Sequence, residues 1–278
     1  MIKPILIVSY ISRLINFPGK ERILRYLYSP DRKNRNSTSF QVKYDGDSLI
    51  NIDTTSFIEW KIFFFGYYEP DVIKIFKKYI KRGDFVVDVG ANIGAHTLVF
   101  SKLAGDGGVF AFEPHPQIAD RLRKNLELNN ISNVEVFETA VSDTAGRLSL
   151  YGINPNDSNK GKSSIYKEYV GSSAEIFDVE VNTLDNIAQN NGWKNISFIK
   201  IDTEGNDLRV ILGAEKIISA FKPLILFEYS KEAWDMSGLT LGDAQKFFIE
   251  HDYDLIDIDN VDLTDLSVDY RNILATPN

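Results

Sequence analysis

The chain has 278 residues, 44% hydrophobic and 25% charged, with no cysteine and a net charge of −8. Such a composition belongs to soluble globular proteins and excludes collagenous, disordered and membrane-embedded classes, while the missing cysteine removes disulfide scaffolds, thiolate zinc sites and cysteine nucleophiles. Residues 1–36 hold eight basic and two acidic side chains, a net +6, which leaves −14 for the rest. An acidic body repels nucleic-acid phosphates, so no nucleic-acid partner is expected; the basic N-terminal segment reads first as a solvated helix surface, with peripheral contact to anionic lipid, a partner or nucleic acid as the alternatives.

The apolar run Ile5 to Ile11 is far short of the roughly 20 residues that span a bilayer, and Arg13 interrupts it. No transmembrane segment is expected, and the location is read as cytoplasmic. From Ile11 to Leu27 the apolar spacing predicts helical pieces broken at Pro18-Gly19, followed by a polar connection from Pro30 to Thr38. Phe40-Val42-Tyr44 and Leu49-Ile50-Ile52 flank Asp45-Gly46-Asp47 and predict a hairpin. Residues 1–64 are therefore read as an N-terminal helical and hairpin appendage, and 65–278 as the main domain.

After Glu69-Pro70, an apolar stripe through Val72, Phe76 and Ile80 predicts a helix that stops before Gly83. Strands at Phe85–Val89, Val109–Phe112 and Val134–Phe137 alternate with helices at Ala95–Leu103 and Pro116–Leu128, the pattern of βαβ units on a parallel sheet. Leu148–Tyr151 and Phe177–Val181 predict an inserted hairpin with a long loop, Gly152 to Ser173, which can cover a site. Alternation resumes with Thr183 capping a short helix, a strand at Phe198–Ile201, a helix at Leu208–Ala220, a strand at Leu224–Phe227 and a helix at Leu241–His251. The last strands, Leu255–Ile258 and Asn272–Ala275, have only a loop between them and predict an antiparallel hairpin.

Chemistry concentrates first at Val86-Val87-Asp88-Val89-Gly90-Ala91-Asn92-Ile93-Gly94, a buried strand breaking into a glycine turn that opens a helix. Glu113, at the end of the next strand, can accept hydrogen bonds from a ribose diol. Together they describe a nucleoside-containing cofactor across the carboxyl ends of the first two strands. A dinucleotide fold needs Gly-x-Gly-x-x-Gly, and here Asn92 occupies the middle position. S-adenosylmethionine has no phosphate and suits Asp88, Gly90 and Glu113 better. A nucleotide-dependent oxidoreductase and a noncatalytic cofactor binder stand as the rival readings.

Asp88-Val89-Gly90-Ala91-Asn92-Ile93-Gly94, Phe112-Glu113-Pro114-His115-Pro116, Asn125-Leu126-x-x-Asn129, Ala140-Val141-Ser142-Asp143, Thr183-Leu184-Asp185, Ile199-Lys200-Ile201-Asp202-Thr203-Glu204-Gly205 and Pro223-x-Ile225-x-x-Phe227-Glu228 follow one another in the order of the FkbM-family methyltransferases, which the chain resembles from about Phe65 onward. The resemblance implies a class I methyltransferase fold, Rossmann-like with a seven-stranded, mostly parallel sheet. It further implies S-adenosylmethionine as cofactor and O-methylation of a hydroxyl on a sugar, glycan or specialised metabolite. One departure is that Asn206-Asp207 stands where the family usually carries another Glu.

By the same resemblance, Gly90, Asn92 and Gly94 line the methionine end of the cofactor, Glu113 holds the ribose, Asp143 meets the adenine and Glu69 packs over the cofactor mouth. Methyl transfer to an alcohol requires positioning and removal of a proton whose pKa is far above 7. Asp202 and Glu204, just past the fourth strand, can act as base or ligate a divalent cation such as Mg²⁺, although no metal ligand set is assigned. Asp202 is also counted among the cofactor contacts, and Glu228, ending the fifth strand, is the third catalytic candidate. His96, His115 and His251 show no metal-ligand spacing.

Overall fold

The computed structural model describes residues 4–30, 39–152, 163–167, 175–263 and 269–278. Helices α1 (Pro4–Leu14) and α2 (Lys20–Tyr28) are separated at Pro18-Gly19, as the sequence predicts. Strands β1 (Ser39–Tyr44) and β2 (Ser48–Asp53) pair antiparallel across the Asp45-Gly46-Asp47 loop. A helix that periodicity misses follows, α3 (Phe57–Phe65), whose segment Phe-Ile-Glu-Trp-Lys-Ile-Phe-Phe-Phe is apolar nearly all round and therefore shows no stripe. Helix α4 (Pro70–Tyr79) then leads into the sheet.

The main sheet begins with β3 (Phe85–Val89), α5 (Ala95–Ala104), β4 (Gly108–Phe112), α6 (Pro116–Leu128) and β5 (Val134–Phe137). The inserted element comprises β6 (Ala140–Val141), β7 (Gly146–Gly152), β8 (Ser163–Ser164) and β9 (Glu175–Asn182), a separate sheet in which β7 and β9 form the expected antiparallel pair. Most of the long loop expected over the site, 153–162 and 168–173, lies outside the described residues. Helix α7 (Leu184–Asn191) starts at Thr183, whose side chain accepts the Asn186 N–H. Then come β10 (Phe198–Ile201), α8 (Asp207–Leu212), α9 (Glu215–Phe221), β11 (Leu224–Ser230), α10 (Lys231–Ser237), α11 (Leu241–Glu250), β12 (Tyr253–Asp257) and β13 (Tyr270–Pro277).

The seven strands lie in the order β12-β13-β11-β10-β3-β4-β5. From β11 to β5 all neighbours are parallel, and β13 runs antiparallel to both β11 and β12. The order reverses between β3 and β10, so their carboxyl ends part into a crevice, the place where open α/β sheets bind ligands. The single helix expected over Leu208–Ala220 is instead α8 and α9, broken at Gly213. A Cβ there would stand 2.1 Å from the Ser142 carbonyl oxygen, so the helix end is pinned against the loop after β6.

The segments before and after residue 65 share a core. Leu24, Tyr44, Trp60 and Phe63 pack in one buried cluster with Val86, Leu98 and Phe198. Polar contacts reinforce the join: the Asn125 and Asn129 side-chain oxygens accept the Asn51 and Leu49 backbone N–H groups at 2.8 and 2.7 Å. Buried Glu59 of α3 also receives Arg121 of α6 at 2.9 Å. The motif asparagines thus clamp the hairpin to the sheet-covering helix.

Candidate active site

A cleft opens at the carboxyl ends of β3, β4, β10 and β11. Its floor is the turn after β3. Gly90 has φ 78°, and its N–H and that of Ala91 both donate to the Phe112 carbonyl oxygen, at 3.0 and 2.9 Å. A Cβ at Gly90 would lie 1.8 Å from the Asp202 carbonyl oxygen, so β10 closes on the turn only because that position carries no side chain. Gly90→Ala combines left-handed strain with a backbone clash, and a loss of about 3 kcal/mol or more is expected in urea unfolding. A loss below about 1 kcal/mol would show that the turn relaxes freely.

Glu113 ends β4 and is buried. Its two oxygens accept the Asn92 N–H at 2.9 Å and the His115 N–H at 3.0 Å. Burial pushes its carboxyl up to about 7, against these hydrogen bonds and Lys200. Each oxygen retains acceptor capacity, which is what a ribose diol requires.

Beneath the other side of the cleft, Lys200 is buried in the middle of β10. Its Nζ lies 3.2 Å from the Gly90 carbonyl oxygen, 3.5 Å from Asp88 Oδ1 and 3.4 Å from Asp202 Oδ2. Burial opposes its charge, but Asp202, Asp88 and Glu69 more than offset this and hold the ammonium above its ordinary pKa. Asp88, fully buried, also accepts the Thr97 hydroxyl at 2.6 Å. One ammonium therefore ties β3, its glycine turn and the end of β10 together.

Asp202 and Glu228 share a hydrogen bond at the mouth. Burial raises Asp202, but Lys200 outweighs it and holds the carboxyl below its ordinary range. Burial and the charges of Asp202 and Glu204 push Glu228 well above that range. Their shared hydrogen bond thus favours the ionised form of Asp202 and the protonated form of Glu228. Burial and Asp202 also push Glu69 up to about 7, while Tyr68 and Tyr270 donate hydrogen bonds to it. Burial drives His96 down to about 3, so its ring is neutral, and the 3.4 Å approach of Nε2 to Glu69 is not an ion pair.

Backbone strain gathers here. Glu69, Asn92 and Glu204, non-glycine residues with φ of 45°, 51° and 54°, all line the cleft. The Glu204 loop is braced by Asp207, whose carboxylate accepts the Thr203 and Gly205 N–H groups, each at 3.2 Å. The shorter acid at this departure from the family pattern is therefore turned to its own loop. Ser164 from β8 ties the insertion to the same loop by donating to the Glu204 carbonyl oxygen at 3.0 Å.

Of the residues singled out in the sequence, Glu69, Gly90, Asn92, Glu113, Asp202, Glu204 and Glu228 line this one cleft. Asp88 and Gly94 stand behind the turn, where Asp88 meets Lys200 and Gly94 starts α5. Asp143 is not among the lining residues, and its carboxylate pairs with Arg209 at 2.8 Å. Lys200, Tyr68 and Tyr270 carried no role in the sequence analysis. Lys200 had a signal, a cation inside a fully apolar strand. Tyr270 had none, since only the insertion of β13 beside β11 brings it to Glu69.

The cleft fits an S-adenosyl cofactor: a glycine turn along its floor, a buried acid with spare acceptor capacity, and two buried polar atoms without hydrogen-bond partners, Thr203 Oγ1 and His96 Nε2. It does not fit the divalent cation considered for Asp202 and Glu204. Among the described residues no three His, Cys, Asp or Glu side chains are grouped to hold a metal. The Lys200 ammonium already stands against Asp202, where it repels a second cation.

The strand order with its antiparallel β13, and an acid after the second strand facing a glycine turn after the first, define a class I methyltransferase fold. Residues 88–255 match the methyltransferase FkbM domain, and the chain belongs to that family. It is 31% identical over 182 residues to methyltransferase sdnD of Sordaria araneosa, covering 56% of this chain and 68% of the relative. It is 28% identical to the 2-O-methyltransferase NoeI of Sinorhizobium fredii, covering 55% and 65%. It is also 28% identical to the hexuronic acid methyltransferase AglP of Haloferax volcanii, covering 57% and 61%. The matches thus span about two thirds of the length of these relatives.

Proposed function

We propose that this protein is an S-adenosylmethionine-dependent O-methyltransferase acting on a hydroxyl of a sugar, glycan or other small natural product. The observation that carries the proposal is the placement of Asp202 and Glu228 together at the mouth of a cleft whose other end is the Gly90 turn and Glu113. Family membership and the sugar and 2-O specificities in the relatives' names support it.

When bound, S-adenosylmethionine supplies an electrophilic methyl group on a sulfonium. Gly90 and Asn92 would hold its methionine end and Glu113 its ribose. Asp202 accepts the acceptor hydroxyl's proton, while Glu228 keeps its own proton and orients Asp202 through their shared bond. Lys200 fixes Asp202 from below, and Tyr68 and Tyr270 orient Glu69 beside the acceptor. Glu204 adds negative charge that favours the cationic cofactor. No step uses a metal. In this proposal residues 65–278 form the catalytic domain, 1–64 an appendage to it, and the reaction takes place in the cytoplasm. Among the described residues no helix is long and apolar enough to cross a membrane.

Glu113 gives a pH signature. Its folded-state carboxyl, raised from 4.5 to about 7, is protonated at low pH and becomes a full acceptor only as the pH rises through about 7. Affinity for S-adenosylhomocysteine is therefore expected to climb from about pH 6 to about pH 8, by up to about tenfold per unit, in calorimetric titrations. The stability of the free protein moves the other way: this group's contribution is complete below pH 4.5 and is lost as the pH rises through about 7. Glu113→Gln flattens the affinity profile, and a flat wild-type profile would count against the ribose assignment.

Methyl transfer from labelled S-adenosylmethionine to a panel of hydroxylated sugars and glycosides, with the new methyl located by NMR, tests the reaction class. A methyl ether is expected. Label found only on nitrogen or carbon would overturn the proposal.

A further inference from the structure

Helix α1 leaves a row of apolar side chains exposed. Ser9 and Ser12 face the protein, buried, and their hydroxyls donate to the carbonyl oxygens of Phe63 and Phe64 on α3. Ile5, Leu6 and Val8 are part-buried against the core, while Ile7, Ile11 and Leu14, at helical spacing, are 51%, 47% and 69% exposed. Helix α2 likewise exposes Ile23, Tyr26 and Leu27, up to 78% at Tyr26, while Leu24 faces inward. Of seventeen large apolar side chains exposed among the described residues, nine fall within residues 7–27, so the exposure is concentrated in these two helices and the turn between them.

Charge identifies what covers these side chains. Arg22 and Arg25 are exposed on α2, Arg25 beside Glu21 at 3.4 Å. The first 36 residues carry +6 against −14 for the remainder, and although Arg13 and Lys20 are turned to backbone carbonyl oxygens, the segment stays cationic beside an acidic body, so an anionic surface attracts this end and repels the body. A second copy is disfavoured because a two-fold contact would set the same cationic segment against itself. We propose that the outer face of α1 and α2 docks on an anionic phospholipid bilayer, the helices lying in the interface with their exposed apolar side chains at the acyl boundary.

The test is co-sedimentation of the full chain with vesicles of phosphatidylcholine alone and of phosphatidylcholine with about one quarter phosphatidylglycerol. Binding to the anionic vesicles is expected to be at least about tenfold stronger and to weaken with added salt. Ile7→Ser with Leu14→Ser, and separately Arg22→Glu with Arg25→Glu, each lower it by about tenfold or more, with circular dichroism and S-adenosylhomocysteine affinity unchanged. The charge variants decide the matter should the serine pair fold poorly. Equal binding to both vesicle types, or undiminished binding by the charge variants, overturns the proposal. So does an absence of vesicle binding together with a dimer that the serine substitutions dissociate.

Discussion

Lys200→Met is expected to lower the unfolding free energy by about 3–5 kcal/mol, because it removes the cation from between the buried Asp88 and the part-exposed Asp202 while roughly conserving volume. Asp88 has no exposure and is left with only the Thr97 hydroxyl. Burial already raises its pKa in the presence of the ammonium, so without it the protein takes up a proton at Asp88 or loses stability. The deficit should therefore grow as pH rises, since a raised carboxyl contributes stability that is lost above its folded pKa. Urea unfolding of the variant, with Asp88→Asn added to relieve the orphaned charge, measures it. Recovery of part of the loss in the double variant is expected. A single-variant loss below about 1 kcal/mol would mean that the ammonium does not hold β3 and β10 together.

Asp202→Asn is expected to lower kcat by about 10²–10⁴-fold while changing cofactor affinity by less than about tenfold. Asparagine keeps the shape but cannot take a proton. Glu228 responds in a defined way: with the Asp202 charge gone, one cause of its raised pKa disappears and its carboxyl ionises more readily. Any residual activity should thus depend on Glu228 and vanish on adding Glu228→Gln. The split between kcat and KM separates this role from mere packing. A kcat within about threefold of wild type would remove Asp202 as the proton acceptor.

What the sequence made legible follows from how each element is buried. β3 and β10 sit in the centre of a sheet covered on both faces, so Val86-Val87 and Ile199 to Ile201 read as strands from their apolar runs alone. The glycine turn was legible because the backbone of β10 leaves no room for a side chain at Gly90, and Glu113 because a ribose diol calls for a carboxylate after the next strand. Helix α3 was missed because burial on all sides erases periodicity, and the break at Gly213 because it depends on the Ser142 carbonyl from a distant loop. Lys200 stood in a quoted motif without a role, although a lysine in a four-residue strand buried throughout calls for carboxylate partners. Asp143 followed a family position, whereas its partner, Arg209, comes from a helix that no local pattern links to it.

The most direct test of the central claim is calorimetric titration of S-adenosylhomocysteine into the purified chain, with Glu113→Ala and NAD in parallel. Micromolar binding by the wild type, weakened about tenfold or more in the variant and absent for NAD, is the predicted result. Failure of the folded wild type to bind S-adenosylhomocysteine, or binding of NAD in its place, would contradict the assignment of the cleft.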